Sequence, residues 1–136
     1  MKRKDNDMKK RTFKKLVMGM AIMVLFSSTM VFGAEYNFSL NPTQTLYSTV
    51  QIKSVDDSYA KVNQMSSSGT IQYTVVNTSN TPVSVMKKIT GSNYGTLSYP
   101  TDVLNGILGS RVKLRGYNAP GDNNGSIRNA SGTWTP

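Results

Sequence analysis

The chain holds neither cysteine nor histidine, and the two absences close most of the usual routes to chemistry. Without thiolate or imidazole there is no Cys/His zinc site, no disulfide framework, and no Ser–His or Cys–His nucleophile pair. Carboxylates are scarce as well: beyond residue 34 they are Glu35, Asp56, Asp57, Asp102 and Asp122 alone. Paired-acid hydrolysis needs two carboxyls at a set separation across a cleft. Asp56 and Asp57 are neighbours in an SVDDS turn and point apart, while Asp102 and Asp122 fall in separate segments. No enzymatic activity, metal or cofactor is expected. Strong helix formers are thin too: Ser, Thr, Asn and Gly make up 46 of the 102 residues after position 34, which is turn and strand chemistry.

What the chain has in excess lies at its start. Lys2, Arg3, Lys4, Lys9, Lys10, Arg11, Lys14 and Lys15 face only Asp5 and Asp7, and an apolar run follows from Leu16 to Phe26. The small residues of Val31–Ala34 then close a pattern of basic region, greasy core and cleavage site, the order of a secretory signal peptide. Cleavage after Ala34 puts Phe32 at the −3 position; cleavage after Gly33 puts Val31 there, and the first is favoured. A membrane anchor through residues 16–34 is the alternative. Leu16–Phe26 would make a helix of about 16 Å, half a bilayer core. Extension to Ala34 reaches about 28 Å, but carries Ser27, Ser28 and Thr29 into hydrocarbon. No cysteine follows the apolar run, so a lipoprotein anchor is excluded, and no twin-arginine pair precedes it.

The formal charge of +9 divides unevenly: +6 falls in the first 34 residues and +3 in the rest. Two-thirds of the basicity belongs to the leader, so the charge does not describe a nucleic-acid footprint. The remaining hundred or so residues are one domain's worth of chain, enough to bury a core. A long basic leader on a cysteine-free cargo points to a Gram-positive bacterial export product.

Period-2 alternation runs through the cargo. It predicts strands over 36–40, 46–53, 58–65, 70–77, 83–89, 96–99, 110–117 and 126–134, with a hairpin-like loop over Gly91–Gly95. In the second of these, Leu46, Ser48, Val50 and Ile52 share one face, with Tyr47, Thr49, Gln51 and Lys53 on the other. The stretch TDVLNGILGS is either a helical turn or a wide loop, its Asn105–Gly106 pair favouring a turn. Seven or eight short strands with turn signals between them read as an all-β antiparallel β-sandwich over residues 35–136, behind a leader helix over residues 1–34.

Several residue sets invite a functional reading. Ser58-x-x-Lys61 matches one element of the penicillin-recognising enzymes, but that motif works on a helix. In a strand the two side chains project to opposite faces. Asp122-Asn123-Asn124-Gly125-Ser126 is oxygen-rich, yet Ile127 and Thr133 stand where an EF-hand needs Gly and Glu, so it reads as a turn. Trp134 reads as a core residue of the last strand, with a sugar-stacking platform as the alternative. Arg111, Lys113 and Arg115 are the most informative set. At alternate strand positions they share a face, each about 7 Å from the next, with Tyr117 continuing it. Like charges at that spacing in water repel by only about 0.6 kcal/mol, so the stripe is cheap to keep and a solvated face would explain it. Its functional reading is a contact with an anionic envelope polymer, anionic lipid head groups or a protein partner.

Phe38-x-Leu40-x-Pro42, Tyr59-Ala60, Val112-x-Leu114-Arg115-Gly116 and Ser131-Gly132-Thr133-Trp134-Thr135-Pro136 together resemble small secreted Gram-positive proteins that carry a C-terminal S-G-x-W motif and have no assigned activity. The resemblance implies an exported β-sandwich and transfers no catalytic residue. The expectation is therefore a secreted, envelope-associated binding protein that uses no cofactor and binds no nucleic acid. It would touch the membrane only through an uncleaved leader. A secreted bacteriocin-like antagonist is the alternative.

Overall fold

A computed structural model describes residues 33–136; the basic region and apolar run read as a leader lie outside the described residues. Polar–apolar alternation folds the described chain into an all-β sandwich of two antiparallel sheets. One sheet sets β1 (Ala34–Leu40), β9 (Arg128–Thr135), β4 (Tyr59–Ser67) and β7 (Asn93–Ser98) side by side in that order. In the other, β2 (Thr45–Tyr47) and β3 (Gln51–Ile52) both pair with β8 (Arg111–Tyr117), followed by β5 (Thr70–Asn77) and β6 (Lys87–Thr90). The expected cleavage point thus falls at the first residue of β1, where Ala34 pairs with Trp134.

The inward side chains of both sheets make one core: Tyr36, Phe38 and Leu40 from β1, Ala60 and Val62 from β4, Ile71, Tyr73 and Val75 from β5, Val112 and Leu114 from β8, and Trp134 from β9. Two glycines permit close approaches within it. The Phe38 ring lies where a Cβ on Gly116 would be, 2.6 Å from that position. At Gly132 a Cβ would run into the Asn63 carbonyl, because β4 bulges there between Gln64 and Ser66. A strand glycine at a bulge, where a second backbone presses close, is the expected solution.

A polar chain crosses the core. The Tyr73 hydroxyl donates to Gln64 Oε1 at 2.5 Å, so the Tyr36 hydroxyl, 3.1 Å from it, must be the donor to Tyr73. Gln64 Nε2 then donates to the carbonyls of Gly91 and Ile89. Burial raises the pKa of Tyr36 and of Tyr73 above the ordinary phenol value, and both stay protonated donors.

The elements differ from the alternation pattern in four places. Residues 101–110 open with a helix, α1 (Thr101–Ile107), which buries Ile107 and packs Val103 and Leu104 against the core. That spacing is one helical face, too short to show as a periodic signal. Asn105–Gly106 lies inside this helix and forms no turn. The hairpin-like loop expected over Gly91–Gly95 is no hairpin: Gly91 and Ser92 alone separate β6 from β7, which begins at Asn93 and pairs with β4 in the other sheet. Of the strand expected over 83–89, only Lys87–Thr90 forms. Upstream, the Val75 N–H donates to Ser84 Oγ instead of a carbonyl, and the Val85 N–H crosses to the Ser98 carbonyl of the other sheet. The strand expected over 46–53 splits into β2 and β3.

That split has a register cause. Leu46 pairs with Gly116 and Gln51 with Val112, so six residues on the edge face five on β8. The extra residue is a β-bulge. Ser48 holds it: its N–H donates to the Leu114 carbonyl at 2.9 Å, and its Oγ accepts from the Leu114 N–H at 3.0 Å. One added residue inverts every side chain beyond it. Leu46 still packs against the core, but Ile52 is turned out to 60% exposure and Lys53 is turned in to 1%.

Candidate functional site

The outward face of the five-stranded sheet collects the stripe. Val112 and Leu114 point into the core, so Arg111, Lys113, Arg115 and Tyr117 point away from it. Register extends the face across the sheet. Tyr117 pairs with Thr45 and Gln72, Arg115 with Tyr47 and Thr74, Lys113 with Val76, and Arg111 with Ile52. On the far side Lys88 lies opposite Gln72. All four residues picked out in the sequence are therefore brought together.

The stripe is partly seated, and no ion pair neutralises it among the described residues. Lys113 Nζ donates to Asn80 Oδ1 at 2.5 Å and stands 4.7 Å from the centre of the Tyr47 ring, a cation–π contact. Arg115 reaches Thr74 Oγ1 at 3.4 Å. Among the described residues the one ion pair is Lys88 with Asp122, at 2.8 Å. None of the three stripe cations faces a carboxylate.

Charge is distributed unevenly over the domain. The outward face of this sheet holds Lys88, Arg111, Lys113 and Arg115 against Asp122, which gives +3. The rest of the domain holds Lys53, Lys61, Lys87 and Arg128 against Glu35, Asp56, Asp57 and Asp102, which balances. The domain's whole net charge thus sits on one face, a potential that raises the local concentration of anions and speeds their encounter.

The other sequence candidates resolve into structure. Trp134 is 1% exposed in the core, so it offers no stacking platform. Lys61 is on the outer side of β4, in register with Thr135, while Ser58 precedes that strand; no catalytic pair forms. The DNNGS segment folds inward. Asn123 is 4% exposed, donating to the Thr70 carbonyl and to Asn118 Oδ1 and accepting from the Thr70 N–H. Asp122 takes hydrogen bonds from Lys88 and then Gln72, which hold its carboxyl below the usual range. Its oxygens are committed to the fold, and among the described residues no cluster of acids could hold a metal.

Unbroken alternation sets Lys53 on the face opposite Leu46, and its burial follows from the bulge. It donates to the carbonyls of Val55 and Pro136 and lies 5.2 Å from the Tyr99 ring centre. Burial pulls its pKa down, while Asp57 and Asp56 pull it the other way. A hollow of about 390 Å³ on the opposite sheet, beside the β4 bulge, is lined by Glu35, Asn37, Met65, Ser131 and Thr133 among others. Glu35 is the one carboxylate in its lining, and Tyr36, the other titratable group there, is buried in the core.

Comparison with known proteins finds no matching family model, no similar curated protein and no similar solved structure. The residues behind the resemblance to S-G-x-W proteins are mostly core and strand residues here: Phe38, Leu40, Ala60, Val112, Leu114 and Trp134 are all buried.

Proposed function

We propose that the chain is an exported, non-enzymatic β-sandwich that binds an anionic component of the bacterial cell envelope through the face carrying Arg111, Lys113 and Arg115, with Tyr117 at its end. The observation that carries this reading is the concentration of the domain's net charge on that one face, with no carboxylate paired to the three cations among the described residues. Binding at such a face is electrostatic, weakens with salt, and needs no rearrangement of the fold.

Replacing all three cations in Arg111→Ser/Lys113→Ser/Arg115→Ser tests the reading. Each projects from the sheet, so the fold is retained, which Trp134 fluorescence reports. Retention on cell-wall material at low salt should drop by at least about tenfold. Unchanged retention rejects the proposal.

A further inference from the structure

A stripe of cations suits any polyanion, but the rim of this face is not polar. Tyr47, Val50 and Ile52 stand 40%, 38% and 60% exposed along its outer edge. The register interleaves them with the charges: Ile52 lies directly opposite Arg111, and Tyr47 opposite Arg115. Cβ atoms of such cross-strand pairs are about 5 Å apart. Contact with a soluble polyanion leaves these apolar groups in water. An anionic bilayer surface uses both, with phosphates on the cations and the headgroup–acyl boundary around the apolar side chains. Long basic side chains can stretch toward headgroups while their stems stay in apolar surroundings, and tyrosine suits a boundary that is apolar on one side and wet on the other.

One further observation favours lipid. The bulge at Ser48–Val50 is what turns Ile52 outward, as the overall register shows; an unbulged strand would have turned it inward, onto the core side.

We propose that this face docks on an anionic lipid surface, Arg111, Lys113 and Arg115 taking the phosphate headgroups and Tyr47, Val50 and Ile52 entering the headgroup–acyl boundary. The inference rests on the anion-binding reading above and narrows it to one occupant.

The absence of cysteine makes a direct test available. Full-length Ile52→Cys and, as a control on the opposite sheet, Tyr94→Cys (73% exposed) are each labelled with an environment-sensitive fluorophore. They are then mixed with vesicles of phosphatidylcholine, with or without phosphatidylglycerol. The label at position 52 shifts to the blue with phosphatidylglycerol vesicles only, and the label at 94 does not. Adding Arg111→Ser/Lys113→Ser/Arg115→Ser raises the lipid needed for half the shift by about 100-fold. No shift at 52, an equal shift at 94, or an equal shift on neutral vesicles overturns the inference. If position 52 is silent while retention on a polyglycerol-phosphate polymer still depends on the three cations, lipid docking falls and the anion-binding reading stands. If that retention is also indifferent to the cations, both fall.

Discussion

Tyr73 and Gln64 join the two sheets through the middle of the core, the phenol donating to the amide oxygen at 2.5 Å. Gln64 is 1% exposed, so nothing replaces that donor when it is removed. Tyr73→Phe should cost about 2–3 kcal/mol in urea unfolding, the desolvation of an orphaned acceptor plus a lost hydrogen bond. Tyr36→Phe removes only the donor behind it and should cost about 1 kcal/mol. Equal effects of the two would contradict the assigned direction of the chain.

Tyr99 presents the opposite case. Its ring is buried at 4% exposure, and its hydroxyl finds no partner among the described residues. Tyr99→Phe should therefore raise stability by about 1 kcal/mol. A loss would mean that the hydroxyl is satisfied in solution.

Alkali should unfold the domain. Burial raises the pKa values of Tyr36, Tyr73 and Tyr99 above the ordinary 10.0, so above about pH 10 the unfolded chain loses phenolic protons that the folded chain keeps. Stability present below that pH is lost as pH rises beyond it. Lys53 works the other way: its pKa is lowered from 10.5, and its burial becomes easier as it deprotonates below that value. Three phenols oppose one amine, so the midpoint of unfolding should fall steeply above pH 10. Tyr99→Phe should shallow that fall.

Gly132 accounts for the middle of the Ser131–Trp134 motif. Any Cβ there meets the backbone of the β4 bulge, which cannot yield as a flexible side chain would. Gly132→Ala should destabilise by about 3 kcal/mol, and Gly116→Ala, which strikes the Phe38 ring, by about 2 kcal/mol. Thermal melts followed at Trp134 would measure both; an unaffected Gly132→Ala melt would show that the bulge is not fixed.

Strand alternation carries most of this fold on its surface. Val112 and Leu114 between Arg111, Lys113 and Arg115 disclose the inner and outer faces of β8 without any structure, and the stripe follows from that. The apolar rim does not follow. Leu46 through Ile52 alternates as one strand, and the extra residue at Ser48–Val50 depends on a side-chain hydrogen bond to Leu114 on a strand more than sixty positions away. Local sequence cannot report that bond, and it decides which way Ile52 and Lys53 point. The inward turn of Asn123 was hidden for a similar reason. Its partners Thr70 and Asn118 are set by the fold, while its composition reads equally as a solvent loop.

The most direct measurement separates the face from the net charge. Arg111→Ser/Lys113→Ser removes two cations from the proposed face; Lys61→Ser/Lys87→Ser removes two exposed cations from elsewhere, so both variants lose the same charge. Retention on isolated host envelopes, titrated with salt, should fall by about tenfold for the first pair and by less than about twofold for the second. Equal losses from the two pairs, or no loss from the first, would contradict a binding face on β8.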